Sequence, residues 1–397
     1  VTEPAQQQPR PANPFDGRGP FLLSLYMTLV GYGVLVALPA LNGAWVDLLG
    51  FTEVQVNRIA SADLLGLFLG SVAVSFLIRS MDRKLLIYAG IAIAIGANVL
   101  CIYFRSYEAT LGLRLFAGFG AGLYTAVAVA GLGANSKPRE AFNWMLLAFA
   151  ISQFLELQLI PHMSMTGIYV FFIATYAVTL PFVRLMPSNE VAVASSADEE
   201  TEAAGQAERR PTALAWVGIL AIVVAYINIG AYWSNIELAA EAGGLDGAWA
   251  GQVISWCVLL SFVGCFTAMY ALRRFDYDRP ILVTFVLMVL AVGLLAVEVS
   301  AAIFVFSVAL FNFLWIFIDV YQMGGVSAAD RSGSAAAFIP GAQGLGQTLG
   351  PFIASLLLER SLGFDAVFVL CAAASFMALL IYFVIFLAVR RQPASGT

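Results

Sequence analysis

Four ionisable side chains stand inside long apolar stretches: Arg114 in TLGLRLFAGFGAGLYTAVAVAGLGA, Glu156 in LLAFAISQFLELQLIPHM, Asp63 in the preceding run around Gly66 and Gly70, and Asp319 in ALFNFLWIFIDVYQMGG. A charge in hydrocarbon is costly, so each needs a partner or a water-lined cavity and is a functional candidate. A helical rise of about 1.5 Å per residue places Glu156 about two-thirds of the way through its run, at the depth of Arg114, and brings Asp63 to a similar level. A guanidinium beside a carboxylate keeps it ionised until substrate or helix movement separates them, which is the chemistry of proton coupling. Arg114 with Glu156 is therefore expected to be either a proton switch or a fixed ion pair. Asp63 shares a face with Gly66 and Gly70, which reads as a helix-packing surface whose carboxyl reaches the outer water. Asp319 reads as a second proton site nearer the cytoplasm, or as a gate lock to Arg331.

Polar and aromatic residues at helical spacing accompany these charges. Asn312, Trp315, Asp319 and Gln322 fall at offsets of three, seven and ten, one stripe of a helix that should face a cavity. Gln343 and Gln347 lie one turn apart, and Thr28 keeps company with Ser24 and Gly31. Asn228, Tyr232 and Asn235 form one face of their run, while Tyr226, Trp233 and Glu237 form another. Thr28, Gln153, Asn228, Tyr232, Asn312, Trp315, Gln343 and Gln347 are the expected contacts of a small organic solute. Trp45, Trp144 and Trp233 read as membrane-interface anchors, and His162 as an interface residue.

Other chemistries are excluded by what the chain lacks. There is no phosphate-cradling loop, so ATP does not drive this chain directly. Its four cysteines have no metal-ligand spacing and its single histidine rules out a His-based zinc or haem site, so no cofactor or metal is expected. No cluster of carboxylates, histidine and nucleophile gathers at one membrane face, which speaks against an enzyme. The expected partners are a small organic solute, a proton and the lipid bilayer, with no nucleic acid, and the chain is expected to be a monomer.

The elements that position these groups follow from composition. Of 397 residues, 61% are hydrophobic and 11% charged, with a net charge of -5 that comes largely from one segment, PSNEVAVASSADEETEAAGQAERR. That segment cannot bury enough apolar surface to offset its ordering entropy and reads as a linker. The expected organisation is a tail over 1–20, a first bundle over 21–186, the acidic linker over 187–213, a second bundle over 214–389 and a tail over 390–397. Runs of the length that crosses a bilayer predict about twelve helical spans, at 21–43, 56–78, 85–104, 109–133, 142–163, 166–186, 214–236, 249–272, 280–299, 302–325, 333–357 and 364–389. The first run is too long for a cleavable signal and follows a polar tail. Basic residues crowd one set of loops, among them Arg79, Arg83, Lys84, Arg184, Arg209, Arg273 and Arg390, against Arg58, Arg105 and Arg360 in the other. This asymmetry predicts cytoplasmic termini and linker in a bacterial-type inner membrane.

The loops IRSMDRKLL and LRRFDYDRPIL occupy equivalent places in the two halves, as in a parallel repeat. Arg114 followed by Gly118, Gly120 and Gly122 resembles the fourth helix of the major facilitator superfamily, and the two six-helix halves extend the resemblance over nearly the whole chain. In the loop after the second span, SFLIRSMDRK keeps that family's basic pair, Arg83 and Lys84, but puts Ser75, Arg79 and Asp82 where the family has Gly, Asp and Gly. The exporter Gly-Pro signature is absent from the fifth span, and Gly350 and Pro351 form such a pair in the eleventh. The resemblance implies an all-α polytopic membrane protein, two rocking six-helix bundles and secondary transport by alternating access. Arg83, Lys84, Gly118 and Gly122 become gating candidates. An exporter of drugs or amphiphiles, a uniporter and a non-transporting receptor are the alternatives on the same fold.

Overall fold

The computed structural model describes residues 13–78, 80–188, 213–275, 278–329 and 338–391. The linker segment 189–212, the tails 1–12 and 392–397, Arg79 and Arg331 lie outside the described residues. Lipid offers the backbone no hydrogen-bond partner, so each apolar run satisfies its own N–H and C=O groups as a helix. Twelve spans result among the described residues: Arg18–Val36 continued by Leu38–Leu49, then Glu53–Leu77, Arg83–Tyr103, Tyr107–Gly133, Pro138–Leu159 and Met165–Thr179 in the first half. The second half comprises Ala213–Ala242, Gly247–Val258 continued by Leu260–Ala271, Asp278–Gly293, Ala301–Ala329, Ile339–Glu359 and Gly363–Arg391. Ten spans among the described residues are long and apolar enough to cross a membrane. The first is divided at Ala37, just before Pro39, and the eleventh is rich in glycine and glutamine, so those two depend on packing against their neighbours.

Short loops fix where each helix begins. Thr52 and Gln55 form a reciprocal capping box, while Asp82, Ser106, Ser164 and Asp246 each accept a hydrogen bond from a backbone N–H of the first turn. Gly50, at φ 70°, closes the first span in a left-handed conformation that a side chain disfavours. The first span runs further than the expected 21–43, because Asn42 and Trp45 are buried against neighbouring helices. The eleventh is described from its helical start at Ile339, inside the expected 333–357.

The spans form two six-helix bundles that meet along two seams, the second span with the eleventh and the fifth with the eighth, while Leu38–Leu49 packs on the seventh span of the other bundle. Within the first bundle the second and fourth spans touch backbone to backbone. A Cβ on Gly66 would collide with the carbonyl oxygen of Leu115, and one on Gly118 with that of Asp63. Gly70 and Gly122 repeat the arrangement one turn on. Without a hydrophobic drive between helices in lipid, such close approach supplies the dispersion contacts that hold them. In the second bundle Gly230, Gly346 and Gly350 let the seventh and eleventh spans approach in the same way.

Candidate functional site

Twelve spans of alternating direction bring the start of the first span and the end of the last to one side of the molecule, the basic end, whose loops and helix ends carry Arg83, Lys84, Lys137, Arg184, Arg273 and Arg274. The glycine contact between the second and fourth spans carries Asp63 directly to Arg114. Arg114 Nε donates to Asp63 Oδ2 at 2.6 Å, its Nη2 donates to the same oxygen, and its Nη1 donates to Asn98 Oδ1 at 3.0 Å. Arg114 is 1% exposed and Asp63 4%. The Trp45 ring lies 6.0 Å from the guanidinium, and its indole N–H donates to the Tyr169 hydroxyl at 3.2 Å. The expected pairing of Arg114 with Glu156 is thus replaced by Arg114 with Asp63. Asp63 does not reach the outer water, because the same glycines that make its face a packing surface bring the guanidinium onto it.

Glu156 is left without a cation. It is 6% exposed; Ser152 Oγ donates to its Oε1 at 2.8 Å, and its Oε2 has no hydrogen-bond partner among the described residues. A Cβ on Gly33 of the first span would stand 3.4 Å from both carboxylate oxygens and from the Phe172 ring. The carboxyl therefore lies against the backbone of Gly33, between the first and fifth spans. Gln153 of the same helix is buried, and its Nε2 is likewise unpartnered among the described residues.

In the second bundle Tyr226 joins two predicted residues. Its hydroxyl donates to Asp319 Oδ1 at 2.5 Å and accepts from Gln343 Nε2 at 2.7 Å, linking the seventh, tenth and eleventh spans. Asp319 and Gln343 are half-buried and Tyr226 is buried. The alternative partner, Arg331, lies outside the described residues. Trp315 packs edge-on against Trp233 at 5.8 Å, and Gln347 is buried where its backbone meets Gly230.

Other predicted contacts point elsewhere. Tyr232 stacks on Phe311 at 3.8 Å and its hydroxyl pairs with Ser307, so it belongs to the packed interior of its own bundle. Thr28 and Asn312 donate to their own helix backbones, at Leu25 and Val308, and Asn228 is fully buried. Of the gating candidates, Gly118 and Gly122 are packing glycines, Arg83 lies 4.9 Å from the Phe15 ring centre, and the Lys84 amide is held by Asp82. Trp45 and Trp233 are 0% and 1% exposed and are core residues rather than interface anchors, whereas Trp144 is half exposed and His162 is exposed.

Sequence reasoning missed Asn98 and a set of polar contacts between the bundles at the end away from the termini. There Asn42 donates to the Ser234 carbonyl, Asn57 and Asn235 exchange side-chain hydrogen bonds at 2.7 and 2.9 Å, and Ser61 donates to the Thr348 carbonyl. Trp233 donates to the Leu35 carbonyl, and Gln158 reaches Gln252 and Ser255. These bonds close the far end. Isolated amides in apolar runs were the available signal. Towards the basic end the fifth and eighth spans part, leaving a cavity of about 280 Å³ among residues that include Trp144, Leu147, Phe262, Cys265 and Ile316.

Comparison with known proteins matches this architecture. The family model described as "Uncharacterised MFS-type transporter YbfB" matches residues 36–383. No curated protein matches the sequence. Among solved structures, the nucleoside transporter NupG superposes with a TM-score of 0.71 at 13% identity, over 92% of this chain and 99% of its own. The POT family transporter PepTSo gives 0.71 at 11% identity, over 97% and 100%. A third structure, described as "Structural insights into substrate recognition in proton dependent oligopeptide transporters", gives 0.68 at 14%, over 94% and 99%. At such identities the likeness is one of fold, and it is the family match that carries identity. A twelve-span chain closed at one end and matched by that model over most of its length is a multi-pass membrane transporter, not an enzyme, and it belongs to the MFS-type transporter family.

Proposed function

We propose that the chain is a proton-coupled secondary transporter of a small organic solute, with Glu156 carrying the proton. The supporting observation is the contrast around Arg114: that cation is fully engaged by Asp63 and Asn98, while Glu156, equally buried, has one donor from Ser152 and no cation. A buried carboxylate so placed is costly when charged, so gaining and losing a proton as the bundles rock is its natural role. Asp319, tied to neutral Tyr226, is the second candidate. With both termini on the cytoplasmic side, as the basic loops favour, the closed far end faces outward. In this reading the bundles span 21–186 and 214–389, the segment between them is a linker, and the chain works as a monomer.

The solute we infer is uncharged or zwitterionic, with rings and hydrogen-bonding groups. Tyr32 and Phe149, in edge contact at 5.9 Å, and the Tyr226, Gln343 and Trp315 group favour such a molecule. The structural neighbours include a nucleoside transporter and oligopeptide transporters, which agrees in chemical class. An organic anion bound by Arg114, one option open in the sequence, loses its support because that guanidinium is buried and its charge is matched by Asp63. A second reading, export of amphiphiles, rests on the cavity between the fifth and eighth spans, whose apolar lining invites entry from the bilayer.

Purified protein in liposomes loaded with a pH-sensitive dye tests the coupling, with nucleosides, dipeptides and an amphiphilic dye added in turn to wild type and Glu156→Gln. A solute-evoked pH change that disappears in the variant while solute exchange survives supports the reading. Flux without any pH change in wild type defines a uniporter and returns Glu156 to a packing role.

A further inference from the structure

Near the far end of the seventh span stands a second buried carboxyl that proton coupling through Glu156 leaves unused. Glu237 is 9% exposed, and its Oε2 has no hydrogen-bond partner among the described residues. It points into the closed junction between the bundles. A Cβ on Gly43, from the first span of the opposite bundle, would lie 3.4 Å from Glu237 Oε1, and one on Gly251 of the eighth span 3.6 Å from the same oxygen. Two glycines, one from each bundle, therefore roof the carboxyl.

The charges that act on it are acidic. Glu241 on the same helix and Asp47 on the first span act on Glu237, and Asp246, capping the eighth span, acts in turn on Glu241. Arg58 on the neighbouring second span is paired with Glu359. Among the described residues no three acidic, histidine or cysteine side chains are arranged to hold a metal ion. One turn or less away, Ser234 and Asn235 make the amide contacts to Asn42 and Asn57 that close this end. An ionised Glu237 would be largely buried against glycine, with no donor to its Oε2 and amid acidic neighbours, whenever those contacts form.

We propose that Glu237 is a second proton-binding site, in the second bundle, occupied while the far end is closed and emptied to the outer water when Gly43 withdraws. Closure of that end is then governed by the pH it faces. The inference rests on alternating access and on the outward placement of the far end, and is independent of the role given to Glu156.

Spin labels at the exposed positions Leu48 and Ala248, in a protein with Cys257 and Cys265 replaced by alanine, read the separation of the bundles at this end in lipid nanodiscs. The expected result is a short distance in mildly acid buffer, a longer population in mildly alkaline buffer, and a short distance in both for Glu237→Gln. The short distance of the variant in acid buffer also reports that it has folded. A wild-type distance that ignores pH, or a Glu237→Gln protein that still opens with alkalinity, overturns the proposal. So does loss of the transition in Glu156→Gln alone. Should Glu237→Gln not fold, the exposed pair Asp47→Asn and Glu241→Gln serves: relieving the repulsion moves the closing transition to more acid pH, and an unmoved transition overturns the proposal. Because no transport is measured, failure here leaves the coupling test at Glu156 untouched.

Discussion

The two bundles answer the same problem, a carboxylate inside a membrane, in different ways. The first bundle gives Asp63 a guanidinium, itself held by the Asn98 amide and lying over the Trp45 ring, so its charge is balanced within a dry contact. The second gives Asp319 a tyrosine hydroxyl, itself held by Gln343, and leaves the group partly exposed. A charge matched by a countercharge is fixed in place, whereas one held by neutral donors keeps the freedom to exchange a proton or a ligand. Glu156 resembles the second kind although it lies in the first bundle.

Breaking the balanced pair gives the largest effect. Arg114→Leu strands Asp63 and is expected to destabilise the protein by about 3–5 kcal/mol, read as a large drop in melting temperature by size-exclusion thermal shift. Asp63→Asn together with Arg114→Leu recovers part of it. Glu156→Gln, by contrast, strands no countercharge and is expected to cost no more than about 1 kcal/mol; a loss as large as that of Arg114→Leu would show that Glu156 is a structural charge after all. Next in size is Gly118→Leu, which forces the second and fourth spans apart and costs about 1–3 kcal/mol. A neutral outcome there would mean the close glycine contact is not what delivers Asp63 to Arg114.

Tyr226→Phe removes the donor to Asp319 and is expected to cost about 1.5 kcal/mol. A double-mutant cycle with Gln343→Ala should be clearly non-additive, since both side chains bond the same hydroxyl; additivity would break the network. The smallest change is Arg58→Ala. That pair with Glu359 has side chains 33% and 53% exposed, so its loss costs no more than about 1 kcal/mol and less at high salt.

Much of the architecture was legible in the chain because lipid makes hydrophobic length almost equivalent to a helix. The glycine face of the fourth span was legible as well, and so was the packing face that Asp63 shares with Gly66 and Gly70. What spacing could not tell was rotation about the helix axis. Depth placed both Glu156 and Asp63 level with Arg114, and only the meeting of two glycine faces decides which carboxylate the guanidinium meets. The same blindness assigned Trp45 and Trp233 to the interface by their position near helix ends, although both are roofed by the opposite or neighbouring helices. Tyr226 was visible as an aromatic residue, but its partners come from helices roughly a hundred residues further on, and no local pattern encodes that meeting.

The division of the first span at Ala37 bears on how motion is shared. Arg18–Val36 keeps company with the fourth and fifth spans of its own bundle, whereas Leu38–Leu49 leans on the seventh span of the other. One continuous rod would carry every tilt of its outer portion straight to Gly33, the wall of the Glu156 pocket. A break at Ala37 interrupts that rod, so a displacement of Leu38–Leu49 against the seventh span is not passed rigidly to Gly33, and the two ends of the pathway are mechanically separated within one span.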